Sequence, residues 1–585
     1  MSRDGRSVRR RGGGRVRWPK RTGALAVLVC LALLASACSS DGATEATPSL
    51  KGVKGGTLQI LTVADVDSLD PAAARSTAAW SLMRLYARTL YSWDSAMVGD
   101  AIAAPVPDLA TGAPAISTDG LTYTIILRKD VAWAQPLTGA VQADDFIYAV
   151  ERQIKGRDPL NPYAWMIKGA REYAAGKAKT IAGLAAPDPL TLRITLTRPA
   201  PDFVSILALP FFAPVPRAHA AKSSVGDGYS RRVVGSGPYT LKAYAPGKSI
   251  ILVRNTNWDP RTDPLRKAWV DKVEVSMGTD QAQILRAIEG HQADLAGDGV
   301  PPPPAELQRL ATDTRLTSQF GVKPSACIRY LSLQTDAGPT ADVRVRQAIN
   351  YAINKEAVVD ALGGRFAGDE ASTVMVPAVT GHVRFDQYPS VNAKGDVDQA
   401  RQLLRQAGYP NGLTLTYVGG SSGQEPALTA ALQDSLARAG IKLTVKTYPG
   451  EERYQRSLRR PDRKAEHQLA SAQWCADWPG DSARSFIPTL LDGRTVSPAT
   501  NDNYGDYNGQ AVNQLIDKTL AEQDPDRRAA MWGDADRQAM ADAAWAPLVY
   551  ERRTFFWSYR VKNWTYSPWI AAPDLANLWL DPYTP

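Results

Sequence analysis

Histidine and cysteine are scarce in this chain of 585 residues, which holds four of each. The histidines (His219, His291, His382, His467) are scattered and no H-E-x-x-H pair occurs, so the pattern offers no metal site and nothing marks a cofactor. A phosphate cradle is missing as well: Gly247-Lys248-Ser249 looks like the end of a P-loop, but the upstream glycine position holds Lys242. An excess of one charge is only apparent. The formal net charge is +9, yet residues 1–37 carry eight Arg and one Lys against Asp4 alone, which leaves +1 from Cys38 onward. A basic pI confined to a removable leader gives no reason to expect nucleic acid as a partner. Phenylalanine is also sparse, with ten against 15 Trp and 22 Tyr. Rings with polar tips suit binding clefts as well as cores.

The leader reads as an export signal. A basic segment precedes the uncharged apolar residues 24–34, too few to cross a bilayer as a mature helix. It ends Leu34-Ala35-Ser36-Ala37-Cys38, where small residues before a cysteine resemble the bacterial lipobox, with Cys38 the lipidated first mature residue. Leu34 stands four residues before Cys38 rather than the preferred three, and Ala35-Ser36-Ala37 also fits plain signal cleavage and release. With Cys30 in the signal and Cys38 as the anchor, Cys327 and Cys475 remain. Two cysteines in an exported chain suggest one disulfide, the alternative being two separate buried thiols. The bond would close a span of 148 residues, a constraint of roughly 4–5 kcal/mol on chain-entropy arguments.

The length exceeds one core and predicts two or three domains; the 44% apolar and 22% charged fractions are those of an ordinary globular protein. Residues 39–54, rich in Ser, Thr, Ala and Gly, read as a tether. Strands are expected at 55–61, 121–128, 190–196, 239–244, 249–254, 272–276 and 290–295, and helices near 77–90, 143–152 and 281–289. From Cys327 the pattern becomes βα alternation, with a strand at 327–334, helices near 342–349, 400–407 and 428–436, and strands at 413–418 and 441–445. This second half holds Ala472-Gln473-Trp474-Cys475-Ala476-Asp477-Trp478-Pro479-Gly480-Asp481. An apolar run leads into it and Pro479-Gly480 turns the chain, so Asp477 is expected at a strand end between two indoles. A carboxylate there needs a partner. The partner is either a ligand ammonium or an internal Lys or Arg, unless Asp477 simply faces solvent in a turn.

One catalytic pattern competes. Gly419-Gly420-Ser421-Ser422-Gly423 fits G-x-S-x-G between a strand and a helix, and His467 lies downstream with Asp434 and Asp462 before it. A Gly/Ser loop is also the ordinary connection between such elements, and the helix is expected only from Glu425.

Several short motifs stand in a telling order: Ser68-Leu69-Asp70-Pro71, Pro107-Asp108-Leu109-Ala110, the strand from Asp119 to Arg128, the helix from Ala143 to Arg152, Gly235-Ser236-Gly237-Pro238-Tyr239, Arg254-Asn255, and the helices after Asp342 and Ala400. Together they resemble the bacterial ABC-transporter solute-binding proteins of family 5, the oligopeptide and dipeptide-binding type, over nearly the whole mature chain. The resemblance implies an α/β, two-lobed periplasmic-binding-protein-like fold (type II, cluster C) with an extra inserted domain. It divides the chain into a signal peptide (1–37), a tether (38–52), domain I (53–92, 213–325 and 548–585), an inserted domain II (93–212) and domain III (326–547). Trp474-Cys475-Ala476-Asp477 looks like the oligopeptide-binding members in particular. There the cysteine pairs with one at the start of an earlier hinge strand, the place of Cys327, and the Asp binds the peptide α-ammonium. Asp477 is thereby implied as the anchor, the main chain of Gln473, Trp474 and Cys475 as an edge for the peptide backbone, and Trp474 and Trp478 as cleft walls. Trp478-Pro479-Gly480 departs from the family's usual Tyr-x-x-Pro course, and no Asp-Gly follows Trp133. The implied function is not enzymatic. A monomeric lipoprotein, held through Cys38 on the outer face of the cytoplasmic membrane, captures peptides between two lobes and delivers them to an ABC permease and its ATPase. The alternatives are a cell-surface peptide sensor of the same fold and, more remotely, a serine peptidase or esterase using Ser421.

Overall fold

Three sheets organise the chain. The structure is a computed structural model and describes residues 52–95, 104–155, 162–297, 300–450, 452–459, 466–496 and 501–582. The signal segment, Cys38 and all of the tether up to residue 51 lie outside the described residues. In the first sheet the strands run Leu295–Ala296, Thr57–Leu61, Lys272–Ser276, Ser249–Arg254 and Tyr239–Ala245. Thr57–Leu61 pairs parallel with both of its neighbours, and the remaining pairings, Lys272–Ser276 with Ser249–Arg254 and Ser249–Arg254 with Tyr239–Ala245, are antiparallel. Alternation sets the buried face: Leu58, Ile60, Val273 and Val275 point into the core while their neighbours are half-exposed. The second sheet is antiparallel, ordered Ala115–Ile116, Thr122–Ile126, Thr191–Thr195 and Leu184–Asp188. It carries the helix Ala143–Lys155, whose first turn has Asp144 and Asp145 and whose last turn has Arg152 and Lys155, as the helix dipole favours.

The third sheet is the largest, ordered Gly368–Glu370, Trp545–Phe556, Phe320–Leu333, Leu469–Cys475, Leu413–Gly420 and Ile441–Tyr448. Two of its strands reach out of their own lobe. Phe320–Leu333 and Trp545–Phe556 pair along their length, with register breaks between Pro324 and Ile328 and between Arg329 and Tyr330. At one end Phe556 and Phe320 pack with Ile284, Leu285 and Leu310 of the first lobe. At the other, Leu331, Leu333 and Val549 belong to the core of the second. The strand expected from Cys327 therefore begins seven residues earlier, and the strand Trp545–Phe556 was not expected at all. Pro324 and Gly321 break the strand pattern in the first, and Pro547 with Arg552-Arg553 disguises the second.

The recurring motifs meet as buried joints. Asp70, fully buried, takes both Arg152 nitrogens at 2.6 and 2.8 Å and the Gly226 N–H at 2.8 Å, which ties Ser68-Leu69-Asp70-Pro71 to the insert's helix. Asp108 lies between Arg88 (2.8 Å) and Arg266 (2.9 Å), with all three nearly excluded from solvent. Gly235 and Gly237 press on the end of helix Thr77–Tyr86, where an added Cβ would lie 1.9 Å from the Tyr86 carbonyl oxygen and 2.7 Å from that of Leu85. No side chain fits there, and the Gly237 N–H uses the approach to bond the Tyr86 carbonyl at 2.8 Å.

Candidate ligand cleft

The strand Leu469–Cys475 is the floor from which the cleft is built. It pairs antiparallel with Phe320–Leu333, placing Cys475 opposite Cys327 and Gln473 opposite Arg329. Cys327 and Cys475 are disulfide-bonded, with Cα atoms 3.9 Å apart. So close a pair is of the non-hydrogen-bonded kind, which directs the N–H and C=O of Cys475, and of Gln473 two residues before it, away from the partner strand. On that other side Leu413–Gly420 pairs only at Leu469 and Ala470, so among the described residues no strand lies beside the edge at 473–475. The Gln473 N–H donates to the Tyr454 hydroxyl at 3.2 Å.

Beyond the strand, Asp477 faces the insert. Its carboxylate accepts from the hydroxyl of Tyr163, in the short helix Pro162–Met166, and its N–H lies 3.3 Å from Ser485 Oγ. Among the described residues no Lys or Arg pairs with it, so the internal salt bridge allowed by the sequence is not the arrangement found. The residue as a whole is half-buried. Burial pushes its carboxyl up to about 6, nearby Asp502 adds to the rise, and the Tyr163 hydroxyl opposes it. A carboxylate at the junction of two lobes, held by an uncharged donor, has unused capacity for a cation.

The indoles divide in role. Trp474 is half-buried and donates through Nε1 to the Ser485 carbonyl at 2.8 Å, which fixes the turn behind Asp477. Trp478 is a correction to the expected cleft wall. Its ring is fully buried, edge-on to Tyr163 with centroids 5.6 Å apart, and it packs into the core of the insert and first lobe. It plugs one lobe into the other and presents no face to a ligand. Beside it Arg484 Nε reaches Asp202 Oδ2 of the insert at 2.5 Å, a buried ion pair in which Asp202 Oδ1 has no partner. Tyr163, Asp202 and Arg484 were not found from sequence, where nothing separates Tyr163 from the other tyrosines.

On the far side of Cys475 from Asp477, a cavity of about 590 Å³ lies between the lobes. Gln473 and Arg329 line it from the second lobe, Pro301, Leu307 and Trp564 from the first, and Glu551 from the strand Trp545–Phe556 that crosses between them. Glu551 accepts from Arg329 Nε at 2.9 Å and from the Gln473 amide. Behind it Glu425 binds Arg329, Arg453 Nη1 (2.7 Å) and Ser471 Oγ (2.7 Å). Burial pushes Glu425 up, but the Arg329 and Arg453 guanidiniums outweigh it and hold the carboxyl below its usual range.

Among the described residues the hydrolase pattern does not assemble, and Asp462 lies outside them. Helix Glu425–Arg438 starts after the Gly/Ser loop, and Ser421 is exposed. His467 is buried with Nδ1 3.4 Å from Ser457 Oγ, and burial pulls its imidazole down to about 4. No described residue gives Ser421 a general base.

Residues 104–497 match the profile of the bacterial extracellular solute-binding proteins, family 5. The chain belongs to that family. The periplasmic oligopeptide-binding protein OppA of Escherichia coli (strain K12) is 26% identical to this family member over 500 residues, which cover 83% of this chain and 85% of OppA. Heme-binding protein A of Haemophilus influenzae is 26% identical over 473 residues, covering 77% and 80%. Among solved structures, the clavulanic acid biosynthesis oligopeptide binding protein 2 superposes with a TM-score of 0.83 at 32% identity, covering 90% of this chain and 96% of that one. The Helicobacter pylori protein DppA in complex with the peptide STSA gives 0.74 at 25% identity, covering 90% and 98%. The solute-binding protein thus has the two-lobed α/β binding fold with an inserted domain that the motifs implied.

Proposed function

We propose that this family 5 protein captures peptides between its lobes by their free α-ammonium group, with Asp477 as the anchor, and delivers them to an ABC permease and its ATPase. The observation that carries the reading is the Asp477 carboxylate, which belongs to a half-buried residue at the lobe junction and is held by a phenol instead of a cation. The open strand edge at Gln473–Cys475 supports it, because main-chain pairing recognises a peptide without reading its sequence. The ligand then touches both lobes and shifts an open–closed equilibrium by its differential affinity. Relatives named for oligopeptide binding support the peptide over other amines. The protein acts as a monomeric lipoprotein anchored through Cys38 on the outer face of the cytoplasmic membrane, with domain limits near residues 93, 213, 326 and 548, and it catalyses no reaction.

Titration calorimetry with tri-alanine and its N-acetyl derivative tests this. Acetylation removes the charge that Asp477 awaits, so affinity is expected to fall by about 2–5 kcal/mol, the cost of breaking a desolvated charge pair. Equal affinities would take Asp477 out of the anchor role.

A further inference from the structure

We infer that Tyr454 is a stop for the bound peptide: its hydroxyl caps the strand edge at Gln473, so the main chain of a ligand pairs at Cys475 alone. This deepens the reading of the cleft given above and rests on it for the place of the amine, beside Asp477. Main-chain groups directed away from the partner strand recur at every second residue. The Ala476 N–H bonds the Ala326 carbonyl at 2.8 Å and carries that alternation past the strand end, so Gln473, Cys475 and Asp477 all face outward. Side-chain hydroxyls take two of the three. The Asp477 N–H donates to Ser485 Oγ at 3.3 Å, and Ser485 gives its own proton to the Ser482 carbonyl at 2.8 Å. The Gln473 N–H donates to the Tyr454 hydroxyl at 3.2 Å. Among the described residues the Cys475 N–H has no such partner.

The cap is held in place by its surroundings. Tyr454 opens the helical turn Tyr454–Leu458, directly after Arg453. Arg453 is buried, and its Nη1 donates to Glu425 at 2.7 Å and to Ser471 Oγ at 2.6 Å. From that fixed position its guanidinium lies 5.0 Å from the centre of the Tyr454 ring, and Nη2 donates to the hydroxyl at 3.4 Å. Arg459 lies over the same ring at 5.6 Å, and Tyr504 packs against it with centroids 5.6 Å apart. A hydroxyl that accepts from both Gln473 and Arg453 has used its two lone pairs. A peptide carbonyl reaches the Gln473 N–H only if Tyr454 leaves Gln473, Arg453 and Tyr504 together, and one new main-chain bond does not offset that loss. Pairing is therefore complete within the residues next to the amine. A longer chain leaves the edge there and continues unpaired, so the ligand class extends down to dipeptides.

Calorimetry on the full mature protein with the C-terminal amides of di-, tri- and tetra-alanine tests the stop, because length then changes no charge. Wild type is expected to bind the three within about threefold of one another, since no further main-chain bond is added. Tyr454→Phe frees the Gln473 N–H and is expected to tighten tetra-alanine amide about fivefold, the worth of one hydrogen bond, while di-alanine amide stays within about twofold. Tyr454→Ala, which clears the ring as well, should give the same gain or more. Hydrogen exchange of the Gln473 amide is a second readout: faster in unliganded Tyr454→Phe than in unliganded wild type, and slowed in the variant by tetra-alanine amide. Tetra-alanine amide binding wild type more than about threefold tighter than di-alanine amide, unchanged in both variants, overturns the stop, because Tyr454 then yields to the ligand. An equal loss for all three peptides in Tyr454→Phe also overturns it, by placing the hydroxyl at the amine end. If either happens while N-acetylation of tri-alanine still costs affinity, the Asp477 anchor stands and only the stop falls. If no peptide binds wild type or variant, both fall.

Discussion

The insert carrying the four-stranded sheet meets the rest of the molecule along two seams of different construction. Toward the five-stranded sheet, each buried carboxylate has its cation: Asp70 with both Arg152 nitrogens, Asp108 between Arg88 and Arg266. Burial alone would push Asp108 up, yet the Arg266 and Arg88 guanidiniums hold it at about 2. Toward the six-stranded lobe, Asp202 has its cation in Arg484, but Asp477 has only a phenol for a partner and its carboxyl sits near 6. A saturated seam is a fixed joint. An unsaturated one lacks a charge that a ligand can supply, and this is how a two-lobed protein couples closing to binding.

The sharpest way to break the contrast is at the saturated seam. Arg152→Ala leaves Asp70 buried without its cation and should cost about 3–5 kcal/mol of stability, read as a lowered denaturation midpoint. Peptide affinity of the remaining folded protein should not change, because Arg152 lies outside the cleft. A loss of affinity without a loss of stability would reverse the two roles.

At the unsaturated seam the pattern inverts. Asp477→Asn should weaken peptide binding by about 2–5 kcal/mol, with no loss of stability in the free protein. The sign follows from the pKa. A carboxyl raised from 3.8 to about 6 contributes stability that is present below 3.8 and lost as pH rises through 6, so the ionised group is a burden on the unliganded fold at neutral pH. The same titration governs the ligand. Peptide affinity of the wild-type protein should be flat between about pH 6 and 7.5, where the anchor is ionised and the peptide amine is still protonated, and fall about tenfold per unit below pH 6, as protonation removes the anchor's charge. Calorimetry from pH 4.5 to 8 checks the slope, and a flat profile in Asp477→Asn assigns it.

The saturated seam is made of residues whose motifs carried the family resemblance, but its ion pairs were not expected from the sequence. Ser68-Leu69-Asp70-Pro71, Pro107-Asp108-Leu109-Ala110 and Gly235-Ser236-Gly237-Pro238 each build a turn or joint whose shape their own neighbours dictate. Alternation located Ser249–Arg254 and Lys272–Ser276 with their full bounds. The cleft was legible only on one side. Asp477 and Cys475 stand in a motif, but Tyr163 comes from a segment 314 residues away and does its work by position alone. Trp478 shows the converse limit: an indole beside a candidate anchor reads as a cleft wall, and only tertiary packing reveals it as a plug in the opposite lobe. The long strands joining the lobes were hidden for a local reason, since Pro324 and Pro547 interrupt the pattern where the register breaks or the strand enters the core.

Tyr163→Phe gives the finest test of the comparison, because it removes the one bond that satisfies Asp477 without touching any charge. The Tyr163 hydroxyl holds the Asp477 carboxyl down against burial and Asp502. Without it the carboxyl should titrate above 6, and the midpoint of the affinity–pH profile should move up with it. At pH 7 part of the population would then be protonated, and affinity should fall by about 1 kcal/mol, the net worth of a typical hydrogen bond. At pH 8, with wild type measured at the same pH, more of the carboxylate is ionised while much of the peptide is still ammonium, and most of that loss should vanish. A deficit relative to wild type that persists undiminished at pH 8 would mean that Tyr163 contacts the peptide directly instead of tuning the group that does.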